Sequence, residues 1–192
     1  MSSLSLTHDD TVVLLIDWQE RLVAAMPTEL EARRRRKAEV LVRSAAAARV
    51  PVIVTEQYPK GLGPTVPELK EAIAAVEETG VSVPVVPKRD FAATDVPEVL
   101  EALEATGRRK VVVAGMEAHI CVWQTVRALQ TRGWSVHVPR DAVLSRHEDD
   151  HAAALALYTA AGAAVTSVEA VVFDWVRRAE GDVFKTVSRL VR

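Results

Sequence analysis

Short, β-branched apolar runs recur along the chain, each broken by a polar residue, proline or glycine. Thr11 to Ile16 reads TVVLLI and stops at Asp17, and Val52 to Val54 stops at Thr55. Val83 to Val86 runs into Pro87 and Lys88, Val111 to Ala114 into Gly115, Ser135 to Val138 into Pro139, and Ala163 to Val165 into Thr166. Runs apolar on both faces suit strands of a parallel sheet covered on both sides. Helical spacing fills the intervals. From about Thr28 to Arg49, Ala38, Leu41, Val42, Ala45 and Ala48 form one stripe, and Val122, Trp123, Val126 and Leu129 form another within Ile120 to Gln130. Three helix starts are predicted from capping boxes: Asp95 with Glu98, Ser145 with Glu148, and Thr166 with Glu169. Gly80, Gly107, Gly133 and Gly162 stand where helices should stop. The βα alternation predicts an α/β fold, a three-layer αβα arrangement around a mostly parallel, Rossmann-like six-stranded sheet. With no repeat or linker in view, residues 1–192 read as a single domain.

Composition narrows the function. A chain of 192 residues, 49% hydrophobic and 26% charged, has the makings of a large core and is not disordered. Its net charge of −2 offers no general attraction for nucleic acid or anionic lipid. The one dense cationic run, Arg33 to Lys37, is flanked by Glu29, Glu31 and Glu39 and reads as a solvated helix face. No apolar run approaches the ~20 residues a membrane span needs. Met1 to Asp10 is polar and acidic, unlike a signal peptide, so a cytoplasmic location is expected. A single cysteine, Cys121, excludes an internal disulfide and a Cys-rich zinc site. It leaves one question, whether that thiol packs or reacts.

In open α/β sheets, ligands bind beyond the carboxyl ends of the strands. Asp17 follows the first predicted strand, Glu56, Gln57 and Tyr58 the second, Lys88 and Arg89 the third, and Gly115 to Cys121 the fourth. A carboxylate closing so apolar a strand as Asp17 does is either paired or a cap for a loop amide. Lys88 alone reads equally as a surface lysine. Cys121 lies roughly 110° from the centre of its helix stripe, in the first turn. That placement suits a nucleophile whose thiolate is favoured by free amides, although free cysteines are often merely buried.

Together these residues resemble the isochorismatase-like cysteine hydrolase superfamily, which includes nicotinamidases and N-carbamoylsarcosine amidohydrolases. LLIDWQERL at Leu14 to Leu22 resembles the family's aspartate motif, VPKRDFAAT at Val86 to Thr94 its lysine motif, and VVVAGMEAHICVWQTVRAL at Val111 to Leu129 its cysteine motif. RDAVLSR at Arg140 to Arg146 is similar to a further family segment, and TEQYPKGLGPTVPEL at Thr55 to Leu69 is most like the isochorismatase-domain-containing and YcaC-like branch. The resemblance implies a catalytic triad of Asp17, Lys88 and Cys121. It also implies a cis peptide at Met116–Glu117, with the amides of Glu117 and Cys121 facing a substrate oxyanion. Trp18, Gln57, Tyr58, Phe91 and His119 are the expected pocket residues, although a hydrogen-bonded structural role suits His119 equally, and Trp123 is expected to pack in the core. Nicotinamidases carry an Asp-x-His metal motif where this chain has Glu56-Gln57-Tyr58, so no metal or other cofactor is expected. True isochorismatases lack the cysteine, which favours C–N acyl chemistry on a small molecule here. The alternatives are another small ester or ether substrate, a non-catalytic assembly module of the same fold, or a receiver-like domain. The last lacks an acceptor aspartate after its third strand. A reactive thiol of depressed pKa would mark the enzyme. The family commonly forms oligomers, and Val171 to Leu190, with Phe173, Trp175 and Phe184, is the expected homo-oligomer contact.

Overall fold

In the computed structural model, residues 4–192 are described; Met1 to Ser3, the head of the polar N-terminal segment, lie outside the described residues. The strands are β1 (Thr11–Ile16), β2 (Val52–Gln57), β3 (Val85–Lys88), β4 (Lys110–Met116), β5 (Ser135–Pro139), β6 (Val143–Leu144) and β7 (Ala164–Thr166). They form one sheet in the order β3-β2-β1-β4-β5-β7, and every pairing is parallel. The six expected strands are all present. The seventh, β6, is too short to show as an apolar run. It pairs with Gly115 and Met116 of β4, above the point where β5 pairs only with Lys110 to Val112. Two neighbours thus share one side of β4 in succession, β6 at the carboxyl end.

The helices are α1 (Glu20–Val23), α2 (Thr28–Ala48), α3 (Pro59–Leu62), α4 (Pro67–Glu77), α5 (Pro97–Ala105), α6 (Trp123–Thr131), α7 (Glu148–Ala160), α8 (Val168–Val176) and α9 (Gly181–Leu190). Alternation along β1 divides the core. Val13 and Leu15 pack under α2, α4 and α8, whereas Val12, Leu14 and Ile16 pack under α5, α6 and α7. All six β1 residues are buried, as a strand covered on both faces requires. The four glycines expected to end helices follow α4, α5, α6 and α7 in left-handed conformations.

The expected capping boxes do not form. Pro97 opens α5, which makes Val96 the N-cap and leaves Asp95 in the preceding short turn. The residue preceding α7 is His147, not Ser145, whose hydroxyl contacts His119 instead. At α8 the cap moves one residue on, and Ser167 accepts from the Ala170 amide at 3.2 Å. Part of the C-terminal stretch packs within the chain. Trp175 is buried in the core with Val171 and Val172, and Phe173 packs against the same cluster, whereas Phe184 on α9 is only half-buried. Two of the five residues of the cationic run pair with carboxylates: Arg35 with Glu31 on its own helix and Glu68 on α4, and Arg36 with Glu39. Among the described residues, no helix is long and apolar enough to cross a membrane.

Candidate active site

Four strand ends meet around one carboxylate. Asp17 leaves β1 at φ 54°, a left-handed conformation that aspartate tolerates better than β-branched residues do. Its amide donates to the Thr55 carbonyl at 3.1 Å, and Thr55 Oγ1 donates to Asp17 Oδ1 at 2.7 Å, so the end of β2 holds it twice. Lys88, at the end of β3, places Nζ 2.7 Å from Asp17 Oδ2, and neither side chain has any exposed surface. The ammonium also donates to Gln57 Oε1 at 2.6 Å and reaches the carbonyls of Asp90 and Phe91 at 3.2 and 3.3 Å. The Cys121 thiol, from the turn after β4, completes the group, buried within reach of the charges of Asp17 and Lys88. Asp17, Lys88 and Cys121, far apart in sequence, are brought together.

Burial sets the protonation states. It pushes the Asp17 carboxyl up from its ordinary value, against the pull of Lys88 and Thr55. It pushes the Cys121 thiol up to about 12, helped by the negative charge of Asp17 and opposed by Lys88. The expectation of a depressed thiol pKa is therefore reversed, because desolvation and the adjacent carboxylate outweigh the helix amides and Lys88. The arrangement is a buried Asp17–Lys88 pair with the thiol beside it, whose proton burial helps to retain.

The turn that carries Cys121 is shaped by close approach. Gly115 pairs with Ile16, and a Cβ on Gly115 would fall 2.1 Å from the Ile16 carbonyl oxygen. Only glycine lets β4 lie this close to the end of β1. The Met116–Glu117 bond is cis, as the resemblance implies. A single wide helical turn follows, Ala118–Val122, in place of the plain α-helix expected from Ile120. The amides of Ile120 and Val122, on either side of Cys121, both donate to the Glu117 carbonyl, at 3.1 and 3.2 Å. Insertions of this kind shift the register of side chains and are frequent at functional sites. Thr125 braces the turn, donating to the Cys121 carbonyl at 2.7 Å and accepting from the Ala93 amide at 2.9 Å. Tyr158 donates to the Ala118 carbonyl at 2.6 Å from α7.

The expected pocket residues divide. Tyr58 and Phe91 are exposed at 44% and 53% and stand on the loops after β2 and β3. The Arg89 guanidinium lies 4.8 Å from the Tyr58 ring centre, beside a groove of about 310 Å³ shared with Lys60 and Pro87. Trp18 is fully buried in the core under α2 and lines no surface. Gln57 has both ends of its amide engaged, Oε1 with Lys88 and Nε2 with the Arg89 carbonyl, and serves to hold the lysine. His119 contacts Ser145 Oγ through Nδ1 at 2.9 Å. Trp123 packs against Tyr158 with ring centres 6.3 Å apart, as expected of a core contact. Thr55, Thr125, Tyr158 and Gln19 escaped the sequence reading. Gln19 is buried and ties the Gln57 backbone to the Gly63 carbonyl, but its only signal was a polar residue two positions after Asp17. Glu56, at the position of the nicotinamidase metal motif, accepts from the Thr65 amide and hydroxyl at 2.7 and 2.8 Å. Among the described residues, no three His, Cys, Asp or Glu side chains cluster to hold a metal ion.

Comparison with known proteins places the chain. The family model described as Isochorismatase domain matches residues 11–170. The chain belongs to the isochorismatase family. Isochorismatase domain-containing protein 1 of Danio rerio is 37% identical over 79% of this chain, which spans about half (51%) of that relative's length. Among solved structures, a MAR1 ribonuclease from Caenorhabditis elegans superposes with a TM-score of 0.88 at 32% identity, covering 97% of this chain and 92% of its own. YcaC from Pseudomonas aeruginosa, determined with hexane-2,5-diol and covalent acrylamide, has a TM-score of 0.87 at 25% identity, covering 100% of this chain and 92% of its own. The open parallel sheet is the family's hydrolase fold.

Proposed function

We propose that this isochorismatase-family protein is a cysteine hydrolase that cleaves the C–N bond of a small amide, carbamoyl or imide-like compound without a metal. The observation that carries the reading is the fully buried Asp17–Lys88 ion pair beside the buried Cys121 thiol. In the proposed reaction Asp17 takes the thiol proton while the sulfur attacks the substrate carbonyl carbon. Burial and the neighbouring carboxylate favour the protonated thiol, so in this scheme the proton passes to Asp17 as the C–S bond forms. The amides of Glu117 and Cys121 receive the developing oxyanion. Asp17 returns the proton to the leaving nitrogen as the C–N bond breaks, leaving a thioester. Water then attacks the thioester, giving its proton to Asp17, and the sulfur leaves with that proton to restore the thiol. Lys88 keeps Asp17 ionised between steps, and the rise that burial gives the carboxyl makes it a stronger base.

Two further facts fit. Acrylamide is an electrophile that thiols add to, and the related Pseudomonas protein carries it covalently. Glu56 and Gln57, at the metal-motif position, already have partners within the chain. Tyr58 and Phe91 form the proposed rim that selects the substrate, with a homo-oligomeric partner closing over exposed Val85 and Phe91 at the β3 edge. The test is a panel of primary amides, carbamoyl compounds, cyclic imides, aryl esters and single-stranded RNA, assayed with wild type and Cys121→Ala. Turnover of one C–N class, an acyl adduct on Cys121 in quenched samples and an inactive Cys121→Ala are expected. Full turnover by Cys121→Ala, or cleavage of RNA instead of any amide, overturns the reading.

A further inference from the structure

The segment Arg140 to Arg146 has no part in the mechanism above, yet it ends against the oxyanion turn. Glu117 follows the cis bond and contributes one of the two proposed oxyanion amides. Its side chain is only 8% exposed, and Oε2 accepts from both the backbone amide and Nε of Arg146, at 3.1 and 3.0 Å. The Arg146 side chain is half exposed. The same loop grips the turn a second time, two residues on, through Ser145 Oγ and His119 Nδ1. Its register is set by β6, which pairs with Gly115 and Met116 immediately before the turn. Buried carboxylates are costly unless paired, and this one is carried by the residue whose amide would face a developing negative charge.

On the cysteine-hydrolase reading above, we propose that Arg146 is a positioning residue for Cys121 chemistry: it neutralises the Glu117 carboxylate beside the oxyanion turn and fixes the direction of the Glu117 amide. Without the guanidinium, the Glu117 charge opposes both thiolate formation and the oxyanion. The defect then belongs to the stranded carboxylate rather than to the missing arginine, and removing that carboxylate repairs it.

The experiment compares wild type, Arg146→Ala, Arg146→Lys, Glu117→Gln and the Arg146→Ala/Glu117→Gln double variant. Glutamine keeps the backbone amide and removes the charge. The first readout is the rate of Cys121 alkylation by iodoacetamide at pH 8, which needs no substrate. Arg146→Ala is expected to lower that rate about tenfold, the change that one unit of thiol pKa would give. The double variant is expected to return to within about threefold of wild type, and Arg146→Lys, which keeps the charge, to stay in the same range. With a substrate in hand, Arg146→Ala lowers kcat while KM stays within about twofold, the mark of an interaction used in the transition state. An unchanged alkylation rate in Arg146→Ala, or a double variant no faster than the single, overturns the proposal. Should no amide be turned over, the alkylation series still decides it; should amides be turned over while alkylation ignores Arg146, this proposal alone fails.

Discussion

Asp17 and Lys88 are bound to each other by the cost of separating them. With both side chains fully buried, replacing Lys88 by methionine strands a carboxylate that has only Thr55 and the thiol for partners. Breaking a buried pair from one side costs roughly 3–5 kcal/mol, whereas an apolar or neutral replacement of both partners is far milder. Urea unfolding of Lys88→Met should show a loss of that size, and Lys88→Met/Asp17→Asn should recover most of it; equal stabilities for wild type and Lys88→Met would contradict the pairing. Cys121 gives a pH prediction. Its folded pKa of about 12 lies above the ordinary 9.0, so the folded chain holds this proton more tightly than the unfolded one. The corresponding stability is whole below pH 9 and is lost as pH rises from 9 toward 12. Native alkylation of Cys121 should therefore climb steadily through pH 10, and a plateau near pH 8 would show a standing thiolate instead. The residue types at the site were legible because each reactive group follows a strand end. Their protonation was not, because desolvation depends on what covers a residue, and Cys121 is covered by groups from elsewhere in the chain.

Among the elements, β4 decides the geometry of the site. It lies between β1 and two successive partners, β5 and then β6, and its last residues turn into the wide helical turn of Cys121. Gly115→Ala tests that arrangement. The added methyl meets the Ile16 carbonyl at 2.1 Å, at a φ of 144° that side chains rarely adopt. A loss of at least about 2 kcal/mol is expected, because neither backbone can yield without unpairing β1 from β4. On a chain of this size that lowers Tm by roughly 4–8 °C, and a thermal shift assay reads it directly. A Tm within 1 °C of wild type, taking about 1 °C as experimental scatter, would mean the strands have slack that their register denies. The strands themselves were readable from β-branched runs, and the helix ends from their glycines. The cap positions were not, because Val96, ahead of Pro97, and Ser167 took the places that the capping boxes assigned to Asp95 and Thr166, and Ser145 was drawn to His119. The wide turn left no trace in a stripe pattern that Val122, Val126 and Leu129 satisfy in either geometry.

At the scale of the molecule, the crevice draws on β1, β2, β3 and β4, whose order in the sheet differs from their order in the chain. The groups available there are one ion pair, one thiol and backbone amides, with Glu56 and Gln57 turned to structural work. Turnover on any substrate found by the panel should therefore be indifferent to EDTA and to added zinc, and a loss of rate with chelator would contradict the metal-free reading. The β3 edge carries exposed Val85 and Phe91 beside the site. Light scattering should report a multimer, and Val85→Lys should weaken it; a monomer at every concentration would leave the site open on that side. The α/β class was legible from alternation alone, and the family from the three motifs. The burial of Trp175 was not, since it joins the cluster under α2 through contacts that no local pattern encodes.

The pairing of β1 with β4 across so much intervening chain has a consequence for the life of the thiol. Until β4 has inserted beside β1, Cys121 has neither its cover nor its carboxylate neighbour, and it titrates as an ordinary cysteine. The unfinished or damaged molecule is thus the one that oxidants and electrophiles modify first. The finished fold withholds its only thiol from general chemistry and releases it to whatever enters the crevice.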